Sequence, residues 1–136
     1  MKGLLFIVSV IVSLTADFTQ TKQVALMSEP QVASGHMVYR APDYLQWAYT
    51  SPQEIVWVMD GESSNVSPQI QRLLRMIMAS IAHPDIQDEK LQREVKRFFQ
   101  SVDIEMDERN GAAKRVTLVE KNGDITRIEF CHVVTK

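Results

Sequence analysis

Residues 31–61 repeat one pattern: a short segment with apolar side chains at every second position, then a turn. The segments are 31–39, with Met37 and Tyr39 in phase; 44–50, with Leu45, Trp47 and Tyr49 in phase; and 54–59, an apolar run containing Trp57 and Met59. Ser28-Glu29-Pro30, Ala41-Pro42-Asp43, Ser51-Pro52 and Asp60-Gly61 punctuate them. Proline cannot donate to a β-ladder and pushes the residue before it out of the helical region, so each proline ends a strand. Period-two patterning between such breaks predicts an antiparallel meander with one apolar face. A mostly polar segment at 17–27, with Phe18 and Val24, reads as an edge-like strand before it.

The period then changes. Ser67 is a good N-cap and Pro68 a good first helical residue. Ile70, Leu73, Leu74, Ile77 and Ile81 follow at helical spacing, flanked by Met76 and Met78, until His83-Pro84 breaks the run. A second helix is expected at 88–99, where Leu91, Val95, Phe98 and Phe99 keep helical spacing, with a strand over 94–99 as the alternative. Asn110-Gly111 and Asn122-Gly123 then read as type I′ hairpin turns, because Asn and Gly tolerate the positive φ such turns need. They divide the C-terminal third into strands near 102–108, 114–120 and 125–134. Strands, helices, strands is an α+β plan: a curved antiparallel sheet with helices on its concave face.

The N-terminus carries Lys2, an apolar run over 4–14, then Ala16 and the first acidic residue, Asp17. This order suits a secretory leader ending at Ala16, and the run is short for a membrane span. An uncleaved anchor and a first helix of the fold are the alternatives. The expected organisation is therefore a signal peptide or apolar N-terminal helix at 1–16 and a single domain at 17–136. No cysteine lies near the leader, so no acylation is expected there.

The 136 residues suffice for one domain with a core, and a net charge of −2 with mixed signs argues against nucleic-acid binding. Cys131, the one cysteine, reads as a small buried hydrophobe on a strand. His36, His83 and His132 are not spaced as metal ligands and read as surface or turn histidines; no metal and no cofactor are expected. No P-loop, dinucleotide fingerprint or nucleophile elbow is present, so no catalytic residue is assigned and the chain is not expected to be an enzyme. Asp103, Glu105 and Asp107, alternating with Val102, Ile104 and Met106, read as the solvated face of a strand, not an acid/base pair.

What stands out is apolar surface. Met37, Tyr39, Leu45, Trp47, Tyr49 and Trp57 share one face of the meander, and Leu74, Ile77, Met78 and Ile81 share one face of the helix. Packed core explains any one of these residues. Both tryptophans fall on the meander, however, and methionines are concentrated nearby, a combination that suits a cavity for varied apolar guests. Period alone does not separate a filled core from a lidded cavity.

Two stretches carry a family resemblance. Asp17-Phe18-Thr19-Gln20-Thr21-Lys22 is similar to the F-x-Q opening of the first strand of the LolA-like outer-membrane lipoprotein carriers. Gly35-His36-Met37-Val38-Tyr39-Arg40-Ala41-Pro42-Asp43-Tyr44-Leu45-Gln46-Trp47, followed by Ser51-Pro52 and Met59-Asp60-Gly61, is similar to that family's meander in order. The resemblance implies an incomplete β-barrel whose helices lid a hydrophobic cavity, with Leu45, Trp47 and Trp57 among its lining. It implies a monomeric periplasmic carrier of acylated lipoproteins or other lipids, a chaperone of outer-membrane biogenesis. Its partners would be an inner-membrane lipoprotein-releasing complex and an outer-membrane acceptor. Ala41 stands where the family often has arginine, Arg40 lies one residue earlier, and 87–97 is short for the family's middle strands. The chain thus resembles a reduced or divergent member. The competing expectation is a cell-envelope interaction domain with a filled core and no lipid cargo.

Overall fold

The computed structural model describes residues 12–61, 63–82, 89, 93, 96–109 and 111–136. The strands are β1 (Ser13–Gln23), β2 (Gln31–Arg40), β3 (Tyr44–Ser51), β4 (Ile55–Asp60), β5 (Ser63–Ser64), β6 (Phe99–Met106), β7 (Ala113–Glu120) and β8 (Ile125–Thr135), with helix α1 (Pro68–Ala82) between β5 and β6. All pair antiparallel in one open sheet of order β5-β4-β3-β2-β1-β8-β7-β6. The meander expected at 31–61 is β2, β3 and β4. Leu45 pairs with both Tyr39 and Met59, and Trp47 with both Met37 and Trp57, so the large side chains of three strands stand in two rows on one face.

β1 begins earlier than its polar sequence suggested and is central, not an edge. It pairs with β2 on one side and β8 on the other. Leu14, Ala16 and Phe18 point into the core and are 1%, 0% and 1% exposed. The polar appearance comes from its outward face, Thr15, Asp17 and Thr19, as expected of an antiparallel sheet with one wet side.

The start of α1 is as expected. Pro68 is the first helical residue, and the Ser67 hydroxyl accepts from the Ile70 amide at 3.5 Å. Leu74, Ile77 and Met78 are buried against the sheet. Met59 from β4 and Val116 from β7, near opposite ends of the sheet, join one core cluster with that helix face. The sheet therefore curves around α1. The second helix expected at 88–99 falls mostly outside the described residues; Glu89, Arg93 and Lys96 are helical, and Phe99 already belongs to β6.

Both C-terminal hairpins form, but not through two-residue type I′ turns. Met106 pairs with Ala113, which leaves a longer loop between β6 and β7. In the β7–β8 turn the Glu120 amide donates to the Asp124 carbonyl at 2.8 Å and the Gly123 amide to the Glu120 carbonyl at 2.9 Å. Gly123, at φ 92°, takes the left-handed position of a three-residue hairpin. Asn122 instead accepts from the Asp124 amide through its side chain. At the β4 edge, Asn65 extends the ladder: its side chain accepts from the Val58 amide and donates to the Val56 carbonyl. Such blocking limits edge-to-edge pairing. Cys131 lies on β8 as expected but is exposed, not buried.

Candidate binding cleft

The inward faces of β1, β3, β4, β6, β7 and β8 and the flank of α1 line an open cleft of about 280 Å³. One wall is aromatic. It is made by Trp47, Tyr49 and Trp57, with Trp57 edge-on to Tyr49 at 5.3 Å; behind it the buried Phe18 stacks on Trp47 with ring centroids 4.1 Å apart and meets Tyr49 edge-on at 5.4 Å. Edge-to-face contacts of this kind fix ring orientation as well as contributing burial. The helix wall is Ile70, Leu73, Leu74 and Ile77, and the far wall is Phe99, Leu118 and Ile128.

The cleft also has polar lining. Gln20, Lys22, Ser67, Gln69, Glu120 and Thr126 belong to it. The Lys22 ammonium lies 3.4 Å from the Glu120 carboxylate, each side chain about a third exposed or less. The Tyr49 hydroxyl donates to Gln20 Oε1 at 2.7 Å. Burial pushes that hydroxyl's pKa up, and hydrogen bonding to Gln20 opposes the shift. The result is an amphipathic groove: rings and branched aliphatics along most of it, with an ion pair and amides among the remainder.

Of the residues expected to line a cavity, Trp47, Tyr49, Trp57, Leu74 and Ile77 are brought together in this cleft. Met37, Tyr39, Leu45 and Met78 are buried in the continuous core and do not line it. The side chain of Ile81 lies outside the described residues. Sequence reading missed the far wall. The alternation of Val116, Leu118 and Glu120 on β7, and of Thr126 and Ile128 on β8, is the signal that carried its β7 and β8 residues. Which strand those faces oppose depends on the β1–β8 pairing, which no local pattern encodes.

The outward face holds a second grouping. His36 Nδ1 lies 2.8 Å from Asp17 Oδ1 and His132 Nδ1 lies 2.9 Å from Asp17 Oδ2. Two histidines read separately as surface residues thus converge on one carboxylate. Their hydrogen bonds hold the Asp17 carboxyl below the usual carboxylate range.

The described residues thus form an open antiparallel sheet curved around one amphipathic helix, with an aromatic-walled groove between them. Residues 9–73, from before β1 into α1, are similar to the family model described as "Outer membrane lipoprotein carrier protein LolA". No curated protein matches the sequence. Among solved structures, the chain is similar to a DUF1329 family protein from Desulfovibrio piger at 9% identity and a TM-score of 0.36, over 93% of this chain and 86% of that one. No helix among the described residues is long and apolar enough to cross a membrane.

Proposed function

We propose that this protein is a non-enzymatic periplasmic carrier that shelters an acyl chain of a lipoprotein, or of another lipid, in the cleft between α1 and the sheet and moves it toward the outer membrane. The observation that carries this is the cleft itself, about 280 Å³ and walled by Trp47, Tyr49, Trp57, Ile70, Leu73 and Leu74. Each methylene exposed to water costs about 0.8 kcal/mol, so an acyl anchor cannot cross an aqueous compartment without such cover. The LolA-like segment supports the same reading and supplies the expected partners, a lipoprotein-releasing complex and an outer-membrane acceptor. The Asn65 cap on the β4 edge supports a carrier that works as a monomer.

The cleft is at the lower end of the ~300–1,000 Å³ typical of small-ligand sites. It therefore takes part of one chain as it stands, and more only if α1 lifts from the sheet. The test is titration of delipidated protein with a fluorescent fatty acid, followed through Trp47 and Trp57 emission. Saturable uptake near one per chain, weakened in Trp57→Ala, is expected. A protein that takes up no fatty acid leaves the filled-core interaction domain as the better reading.

A further inference from the structure

We propose that the outer face of the sheet carries a binding site for one divalent transition-metal ion of the zinc class, with Asp17, Cys131 and His132 as ligands and His36 orienting the Asp17 carboxylate. Ligand atoms of Asp17, Cys131 and His132 all lie within 4.8 Å of one another. His132 Nδ1 is already 2.9 Å from Asp17 Oδ2. Zinc bonds of about 2.0–2.3 Å to N, O and S place tetrahedral ligand atoms roughly 3.3–3.6 Å apart, so side-chain rotation alone brings the three into range. His36 holds the other carboxylate oxygen at 2.8 Å, as the supporting partner of a ligating carboxylate does.

The backbone is arranged to make this grouping. Thr15 pairs with Val134 but Asp17 pairs with Cys131, so β8 carries one extra residue opposite β1. Thr126 and Ile128 are buried and Phe130 is partly buried, whereas Cys131 and His132 are both exposed. Without the bulge, period two would send His132 inward. Instead His132 adopts φ 52°, the one non-glycine residue among those described to hold a positive φ. A non-glycine residue in this region is held there against its own steric preference. Bulges that re-aim a side chain are concentrated beside functional sites.

The donor set chooses the metal. Imidazole with thiolate suits zinc, copper or nickel, whereas magnesium and calcium require oxygen ligands. Three ligands on an exposed face leave the fourth position for water or a partner's side chain. The site lies on the opposite face of the sheet from the cleft, so it does not depend on the carrier reading.

The test uses the full chain, reduced and stripped with chelator, titrated with zinc chloride by calorimetry. In parallel, the alkylation rate of Cys131, the one thiol in the chain, is followed with and without zinc. One ion per chain is expected, with alkylation slowed severalfold by zinc. His132→Asn, chosen because Asn tolerates the left-handed backbone, and Cys131→Ser should each weaken binding by at least tenfold. His36→Gln should weaken it by roughly 10–100-fold at unchanged stoichiometry. All three replaced side chains lie outside the core, and an unchanged thermal midpoint without metal confirms folding. Zinc binding by the His132→Asn/Cys131→Ser double variant that equals the parent's overturns the proposal, as does zinc that leaves Cys131 alkylation unchanged.

Discussion

The ring of Phe18 lies nearly flat on that of Trp47, centroids 4.1 Å apart and planes 23° from parallel. It can do so because Phe18 pairs across the sheet with Gly35, which has no side chain to displace it. A Cβ at Gly35 would stand 2.7 Å from Phe18 Cζ and would overlap the Ala48 carbonyl oxygen. The ring can shift, but the Ala48 carbonyl is backbone and cannot. Gly35→Ala should therefore destabilise by about 1–3 kcal/mol, as overpacking of a filled site does. Urea midpoints measure this; a change within ~0.5 kcal/mol of zero would contradict the close approach.

Ligand uptake should depend on the helix wall. Leu73 lines the cleft but is only partly buried, so Leu73→Glu places a carboxylate in the groove without emptying the core. Fatty-acid affinity should fall by more than tenfold, whereas Val56→Glu, at an exposed position on β4, should leave it unchanged. Equal loss in both variants would mean that the ligand binds elsewhere. Leu45 and Trp47 are poor probes of the cleft despite their place in the sequence pattern. They are 0% and 1% exposed, and truncating either costs on the order of 2–5 kcal/mol of fold stability before any ligand is added.

Acid should weaken the β6–β7 loop through Asp107. Its carboxylate accepts from the Arg109 guanidinium at 3.0 and 3.2 Å and from the Arg109 amide at 2.9 Å. The Arg109 side-chain bonds, then the amide bond, hold its pKa below the ordinary 3.8. A carboxyl depressed in the folded state adds stability that is complete above its unfolded pKa and is lost as pH falls through the folded one. Asp107→Asn should thus lower the thermal midpoint slightly at neutral pH, and the difference from the parent should begin to shrink below 3.8 and vanish only once pH passes the lower folded-state pKa. A constant difference down to the acid limit would show that the ion pair is not its source.

The sequence displayed the strands of the meander and the start of α1 because each rests on local chemistry. Pro42 and Pro52 stop strands wherever they occur, Ser67-Pro68 starts a helix, and the phase of Leu45, Trp47 and Tyr49 needs no partner to be seen. The centre of the sheet was not legible in the same way. β1 and β8 lie at opposite ends of the chain, and their pairing is selected by the burial of Leu14, Phe18 and Ile128 together, not by any one segment. The far wall of the cleft follows from that pairing, as does the approach of His132 to Asp17 opposite His36, which the β1–β2 ladder supplies. Neither has a signature in spacing. The positive φ of His132 is less visible still, since histidine gives no local reason to expect it.

The same pairing holds residues 13–16 within β1, inside the sheet. A chain beginning at Asp17 would lose Leu14 and Ala16 from the core, and with them the Val12 and Ser13 amides that donate to the Lys136 carbonyl at 2.7 and 3.1 Å. Emptying a fully buried leucine site alone costs about 2–5 kcal/mol. The family match, which begins at residue 9, is consistent with a domain that includes this stretch. We therefore expect residues 12–136 to unfold cooperatively with a single urea midpoint. Residues 17–136 should be less stable by at least ~3 kcal/mol, or should fail to fold at all. Comparing the two chains by circular dichroism at equal concentration decides the matter. Equal midpoints would mean that 13–16 are dispensable and that a leader ending at Ala16 is compatible with the mature fold.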